Sequence, residues 1–220
     1  MKITIVYDNE VSKNNKDLKS DWGFACVIHT EEDTVLFDTG AKGDILLDNM
    51  RILGLDPGDI DTIVLSHEHW DHTGGLDALR PFLHHAKLYR LASEHQNENV
   101  VIVGSEISQR ITKDVYTTGR LHGTVDEQSL VLRGKKGFVV LVGCSHPGVE
   151  KILTVAKQYG PTTGLVGGFH NFDDFRVLED LNFICPCHCT ARKKELQKTF
   201  PEKISPCGVG KIIDTDMVLL

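Results

Sequence analysis

The sequence predicts an α/β fold in which outer helices cover two sheets, as a four-layer αββα sandwich. Strand and helix signals alternate through all 220 residues without a long linker, repeat or low-complexity segment. This length suits one domain with an ample core, and we expect a single domain over residues 1–220. Polar, histidine-rich segments follow several of the apolar strands, so their side chains could converge on one edge of the sandwich.

Hydrophobic periodicity predicts the elements of the first half in order. We expect strands at 2–7, 22–29 and 34–37, a helix at 43–53, a strand at 61–65, a helix at 76–85 and a strand at 87–91. Gly54 is expected to close the first helix, and Asp56-Pro-Gly-Asp59 to form the turn into the next strand.

The second half begins with the least regular pattern, over about residues 92–128, where short strands are expected near 100–103 and 115–118. A hairpin is expected around Gly134-Lys-Lys, between strands 130–133 and 137–142. The remaining elements are expected to be a helix at 148–159, a strand at 163–166, helices at 173–181 and 190–199, and a closing strand at 208–211.

Composition narrows the classes of function that this chain could have. A net charge of −7 with 31 acidic side chains argues against a nucleic-acid-binding surface. No segment approaches the ~20 apolar residues of a membrane span, so we expect a cytoplasmic, reducing location and a small-molecule substrate. The close alternation of Cys185, Cys187 and Cys189 agrees, because neighbouring pairs could not bridge easily.

The most informative segment is Ser66-His-Glu-His-Trp-Asp-His-Thr-Gly-Gly75, which directly follows an apolar strand. On extended backbone His67 and His69 point the same way and could share one metal ion. Asp71 and His72 fall beyond the strand end, on a glycine-flanked turn that could aim them at a neighbouring ion. Imidazoles with one carboxylate suit zinc or iron. The segment therefore predicts one or two divalent ions rather than a chance cluster.

This segment resembles the metallo-β-lactamase superfamily through His-x-His-x-Asp-His at residues 67–72. Four further segments stand in that superfamily's order: Leu36-Phe-Asp-Thr-Gly40, Gly143-Cys-Ser-His146, Gly167-Gly-Phe-His170 and Pro186-Cys-His188. Together they look most like the subfamily named for dihydropterin–ribofuranosylaminobenzene phosphate synthase of methanopterin biosynthesis. The resemblance implies the αββα fold and metal-dependent hydrolysis.

The resemblance also implies the ligands. His146 would join His67 and His69 in a three-nitrogen site with one position left open. His188 would join Asp71 and His72 at a second ion.

Read without the resemblance, Cys185-Pro-Cys-His-Cys189 could be a thiolate zinc knuckle or an iron–sulfur site. Alternation on an extended strand opposes this, because Cys187 and Cys189 would point away from His188. The cysteines are expected mainly to pack, although Cys187 or Cys189 could face the cavity.

Two positions have supporting roles. His170 occupies the place where related hydrolases usually carry a bridging aspartate, and a neutral imidazole cannot bridge two cations in that way. We expect His170 to be a terminal ligand, a general acid/base or a substrate hydrogen bonder. Asp173 and Asp174 fit the acidic first turn of the next helix better. By resemblance, Asp38 lies behind the ligands and orients them.

The first functional hypothesis is a metal-dependent hydrolase with an activated water, in which Asp71 could also accept a hydrogen bond from that water. Zinc is the expected ion, with manganese or iron also compatible. A pterin or ribose-phosphate synthase is the alternative enzyme, and it rests on subfamily resemblance alone. A metal-holding sensor or scaffold is the alternative from another class. The sequence selects neither substrate nor oligomeric state.

Overall fold

The computed structural model describes residues 1–12, 16–91 and 101–216. Its strands are β1 (Lys2–Tyr7), β2 (Ala25–His29), β3 (Thr34–Phe37), β4 (Thr62–Val64), β5 (Lys87–Arg90), β6 (Val101–Gly104), β7 (Gln109–Arg110), β8 (Val115–Thr117), β9 (Leu130–Gly134), β10 (Gly137–Val142), β11 (Thr162–Gly168), β12 (Phe183–Cys187) and β13 (Ile212–Asp214). Its α-helices are α1 (Gly43–Ile52), α2 (Trp70–Thr73), α3 (Leu76–Leu79), α4 (Val149–Ala156) and α5 (Lys193–Thr199). Short 3-10 turns lie at Pro57–Asp59, Arg80–Phe82 and Phe175–Leu178.

The described strands form two mixed sheets. The first has the order β13-β1-β2-β3-β4-β5-β6, and the second has the order β12-β11-β10-β9-β8-β7. In the first sheet β3 to β6 run parallel, and β2 lies antiparallel between β1 and β3. In the second sheet β10, β11 and β12 are parallel. The carboxyl ends of β1, β3 and β4 therefore lie at one edge of the first sheet, and those of β10 to β12 at one edge of the second.

Three apolar cores separate four layers. Side chains such as Ile5, Phe37, Val139 and Val166 pack between the two sheets. The outer face of the first sheet packs against α1, with Leu36 and Leu46 in the same core. The outer face of the second sheet packs against α4 and α5, through residues such as Ile152 and Leu196. The predicted αββα sandwich is confirmed.

Several predicted elements differ in extent. The helix expected at 76–85 is divided, because Pro81 falls in a separate 3-10 turn. The helix expected at 173–181 is one 3-10 turn. The last helix begins at Lys193 rather than 190, because the Thr190 hydroxyl instead donates to the Cys187 carbonyl. The strand expected at 22–29 begins at Ala25, after Gly23 at φ 145°.

The prediction of a closing strand at 208–211 is wrong, because the last described strand is β13, at Ile212–Asp214. Residues 208–211 form one isolated bridge, between Val209 and Val11, and the strand at the outer edge of the sheet, beside β1, is β13. Gly208 and Gly210 have φ values of 148° and 87°, a backbone conformation that interrupts a ladder. The strand expected near 100–103 corresponds to β6, and its first residue lies outside the described residues.

Cys187 and Cys207 form a disulfide, with Cα atoms 5.3 Å apart. The cysteines are expected mainly to pack, and Cys187 departs from this because it forms a disulfide. The spacing of Cys185, Cys187 and Cys189 disfavours bridges between close neighbours, whereas this bond spans 20 residues. Within the described ranges, none of the helices combines the length and apolar character of a membrane span.

Candidate metal centre

The predicted site residues follow the carboxyl ends of strands in both sheets. Asp38 follows β3 and His67 follows β4, whereas His146, His170 and His188 follow β10, β11 and β12. The two sheet edges lie close together: the ring centroids of His67 and His146 are 4.8 Å apart. The sequence segments are thus brought together at one end of the sandwich, where ligands commonly bind in α/β folds.

Backbone conformation is unusual at this edge. The non-glycine residues with positive φ among those described are Asp38 at 58°, Ser145 at 61°, His170 at 47° and His188 at 42°. Each such conformation costs on the order of 1–3 kcal/mol and persists only where the surrounding structure enforces it. All four lie at the candidate site, so the fold imposes this geometry at the expense of local backbone energy.

The first half-site consists of His67, His69 and His146. His67 Nε2 lies 3.0 Å from His69 Nδ1, and the His146 ring centroid is 4.9 Å from that of His69. His146 Nε2 is buried and has no hydrogen-bond partner among the described residues. Three nitrogen atoms therefore converge, and one of them has its lone pair or proton unsatisfied.

The second half-site consists of Asp71, His72 and His188. Asp71 and His72 lie on α2, a single helical turn, where the sequence predicted a turn. His188 Nε2 is 3.2 Å from Asp71 Oδ2, but it is buried without an aligned hydrogen bond to any described residue. The His72 and His188 ring centroids are 5.1 Å apart.

Asp38 fixes the orientation of both half-sites from below. Its Oδ1 and Oδ2 accept hydrogen bonds from the backbone N–H and the hydroxyl of Ser66, at 2.7 and 2.8 Å. Because that hydroxyl donates to Asp38, it can only accept from His67 Nδ1, 2.9 Å away. His72 Nδ1 donates to Asp38 Oδ2 at 2.6 Å. Both rings therefore have Nε2 available for an ion.

Cys144, two residues before His146, was not singled out in the sequence. Its Sγ lies 3.2 Å from His72 Nε2. Together with His67 and His146 it forms one set of donor atoms within 4.8 Å of one another, and with His72 and His188 it forms a second. Contact with Cys189 and burial raise the pKa of the Cys144 thiol. The only sequence signal was its position in Gly143-Cys-Ser-His146.

Glu127 is a second residue that the sequence did not identify. It is fully buried, and its Oε1 accepts from the backbone N–H groups of Gly143, Cys144 and Ser145. Its Oε2 accepts from the N–H of His146 at 2.9 Å. This carboxylate therefore shapes the loop that presents His146, although burial raises its pKa.

The chain after β1 holds His188 in place. Asp8 Oδ1 accepts from the His188 N–H at 2.7 Å, and the Asn9 amide donates to the His188 carbonyl at 3.1 Å. Asn9 Oδ1 is 2.9 Å from His188 Nδ1, which leaves Nε2 for the centre. Trp22, half exposed, donates from Nε1 to Asp71 Oδ2 at 2.8 Å.

His170 lies at the rim. The residue as a whole is exposed, but its ring is partly buried, with its centroid 4.6 Å from that of His146. One of its nitrogen atoms lies within 4.8 Å of the sulfur atoms of Cys144 and Cys189. The close approach expected of the preceding glycines is present, since a Cβ on Gly167 would lie 1.9 Å from the Val142 carbonyl oxygen.

The electrostatics leave three of the six ligands ready to bind an ion, whereas at His72 burial lowers the pKa but the Asp38 carboxylate outweighs it and raises that pKa. Burial lowers the pKa of His67 far below its ordinary value, and the neighbouring His72 and His146 add to this. Burial and the nearby His170 lower the pKa of His146 to about 4. Burial alone would raise the pKa of Asp71, but contact with His188 holds it well below the usual range. Near pH 7 both of these rings are neutral and the carboxylate is ionised, as metal binding requires.

These residues fit divalent metal ions. Two buried imidazole nitrogen atoms, on His146 and His188, lack partners among the described residues, and each lies beside further nitrogen, oxygen or sulfur donors. Imidazole and carboxylate donors in this number suit zinc, iron or manganese.

Comparison with known proteins shows what this chain is similar to. Residues 23–96, which include the 66–75 segment, match the model of the metallo-beta-lactamase superfamily. The αββα fold agrees with this match, and so does a solved structure of the beta-lactamase superfamily that covers 98% of this chain.

Individual relatives are distant. A protein of Methanocaldococcus jannaschii named 7,8-dihydropterin-6-methyl-4-(beta-D-ribofuranosyl)-aminobenzene-5'-phosphate synthase is 27% identical, over 90% of this chain and 92% of that protein. The crystal structure of Tm1679, described as a metal-dependent hydrolase of the beta-lactamase superfamily, superimposes with a TM-score of 0.80. Its sequence is 26% identical to this one, and the match covers 98% of this chain and 99% of that chain. Zn(2+)-bound PqqB of Methylobacterium extorquens shares the fold, with a TM-score of 0.62 at 12% identity over 97% and 100% of the two chains.

Proposed function

We propose that this protein is a metal-dependent hydrolase that activates water at a dinuclear His/Asp centre and acts on a small molecule. The observation that carries the proposal is the pair of buried Nε2 atoms, on His146 and His188, that make no aligned hydrogen bond to any described residue. Leaving such atoms unsatisfied costs about 1–3 kcal/mol each. One bound ion at each half-site would satisfy both.

The ligand assignment follows the two half-sites. His67, His69 and His146 would hold the first ion and leave a position open for water or substrate. The second half-site, including Asp71 as its carboxylate, would hold the other ion. Zinc is the ion that these donors suit best, and manganese or iron also fit.

When bound, such ions would lower the pKa of a coordinated water and polarise a carbonyl or phosphoryl oxygen of the substrate. The protein's own groups supply the rest. The ionised Asp71 can accept a hydrogen bond from the attacking water and orient it. Burial lowers the pKa of His170, so its imidazole is neutral near pH 7 and can accept or return a proton at the rim.

The experiment combines metal analysis with a turnover screen. Protein purified without added metal should contain about two equivalents of zinc, manganese or iron. It should turn over at least one compound among phosphodiesters, lactones, thioesters and pterin precursors. His67→Ala should remove metal and activity, whereas His122→Ala, at a side chain 77% exposed, should change neither. Full activity after complete metal removal would contradict the proposal.

A second candidate is a synthase that acts on a pterin or ribose-phosphate compound. The relative with 27% identity, which carries a synthase name, favours it. The same screen separates the candidates, since a synthase would consume pterin precursors without hydrolysing the other compounds. Metal binding without any turnover would instead support a sensor or scaffold.

A further inference from the structure

The sulfur atom of Cys144 lies between the two half-sites. It belongs to a donor set with His67 and His146 and to another with His72 and His188. Among the described residues it is the one side chain common to both sets. The residue is 3% exposed, so its thiol faces protein groups rather than bulk water.

The charge of the proposed centre also calls for a second anion. Two divalent ions bring four positive charges, and Asp71 is the one anionic side chain among the six proposed ligands. The nearby carboxylates are already engaged: Asp38 binds Ser66 and His72, and Glu127 binds backbone N–H groups. Buried charge without a counter-charge is costly. A thiolate between the ions would offset part of it.

We propose that Cys144 is a metal ligand shared by the two half-sites, as a bridging thiolate. This inference rests on the proposed dinuclear centre and adds a seventh ligand to it. On binding, the S–H bond is replaced by sulfur–metal bonds and the proton passes to solvent, so no oxidant or reductant is needed. A thiolate ligand shifts the preference towards zinc or iron(II) and away from manganese or magnesium.

Cys189 provides a matched control. Its sulfur, that of Cys144 and a nitrogen of His170 also lie within 4.8 Å of one another, so Cys189 is the competing sulfur ligand. It is absent from the two sets that contain the half-site histidines. Substituting each cysteine by serine therefore shows which sulfur binds the metal ions, because the same chemical change is made at two positions that are close in space.

The test uses cobalt(II) in place of the native ions and follows the sulfur-to-cobalt charge-transfer absorption. The band should be present in the wild-type protein and in Cys189→Ser, and absent in Cys144→Ser. Cys144→Ser should also weaken binding of the second ion by more than the roughly 10–100-fold that loss of an outer partner costs. Zinc-loaded wild-type protein should show a sulfur neighbour at about 2.3 Å by X-ray absorption, and this measurement stands even if Cys144→Ser fails to fold.

Two outcomes overturn the inference. One is a wild-type protein that binds two ions but shows neither the charge-transfer band nor the sulfur neighbour, which would leave the proposed hydrolase centre intact. The other is a band that survives Cys144→Ser and disappears in Cys189→Ser. A wild-type protein that binds no ion would instead refute the proposed function itself.

Discussion

Asp38 Oδ2 lies 2.6 Å from His72 Nδ1, and both side chains are fully buried. The carboxylate holds the ring in the tautomer whose Nε2 faces Cys144 and the second half-site. Asp38→Asn can present an N–H to His72 Nδ1 instead and so favours the wrong tautomer. We expect metal affinity to fall about 10–100-fold. A chelator-competition titration measures this, with the exposed Asp77→Asn as the control, and equal affinities for Asp38→Asn and wild type would contradict it.

His67→Ala or His146→Ala should remove the ion of the first half-site and abolish activity, because each supplies one of its three proposed nitrogen ligands. The fold should largely survive, since the three apolar cores lie away from this edge. Metal analysis and circular dichroism of each variant test the two statements separately. Full activity with unchanged metal content in His67→Ala would show that His67 is not a metal ligand.

Glu127→Gln tests the carboxylate that organises the loop of Cys144 and His146. The amide keeps one acceptor oxygen, but its NH2 group would oppose one of the four N–H donors now bound. We expect a loss of about 1–3 kcal/mol in the free energy of unfolding, with weaker metal binding at the first half-site. Urea denaturation of metal-free protein measures the loss, and Glu202→Gln, at an exposed position outside the helices and strands, should show none.

The local part of the site was predictable from the sequence. His67, His69, Asp71 and His72 lie within six residues after one strand, so strand periodicity and a turn suffice to bring them together. The αββα layers followed from alternating strand and helix signals, because each element buries one face against the next layer.

The supporting residues could not be predicted in this way. Glu127 acts on backbone N–H groups 16 to 19 positions away, and Asn9 contacts His188 across 179 positions. Their roles depend on which strand ends meet after folding, and no local pattern marks a carboxylate that binds main-chain donors. Cys144 resembles an ordinary buried cysteine until the second half-site is placed beside it.

Asp8 carries a pH-dependent contribution to stability. Burial is the main cause that raises its pKa to about 6, despite the bond from the His188 N–H. The folded protein therefore holds this proton more tightly than the unfolded chain, whose aspartate pKa is about 4. The stabilising contribution is complete below about pH 4 and is lost as the pH rises through about 6.

The measurement compares metal-free wild type with Asp8→Asn, which cannot ionise but keeps an acceptor oxygen for His188. The free energy of unfolding of the variant, relative to wild type, should rise by about 2 kcal/mol between pH 4 and pH 7. Urea denaturation across this range gives both curves. A difference between the two proteins that stays constant with pH would show that Asp8 does not titrate there.

Substitution of His170 distinguishes a role in proton transfer from a role in metal binding. Its ring lies beside His146 at the rim, and burial lowers its pKa, so it is placed to exchange protons with substrate or water. His170→Ala should lower turnover by roughly 10²–10⁴-fold and lose less metal than His67→Ala, whereas His84→Ala, at an exposed position, should change neither. Unchanged turnover would exclude the acid/base role.

His170→Asp should tighten binding of the second ion, because it adds a carboxylate at the rim. Weaker binding of that ion would instead mean that the pocket is built around an imidazole.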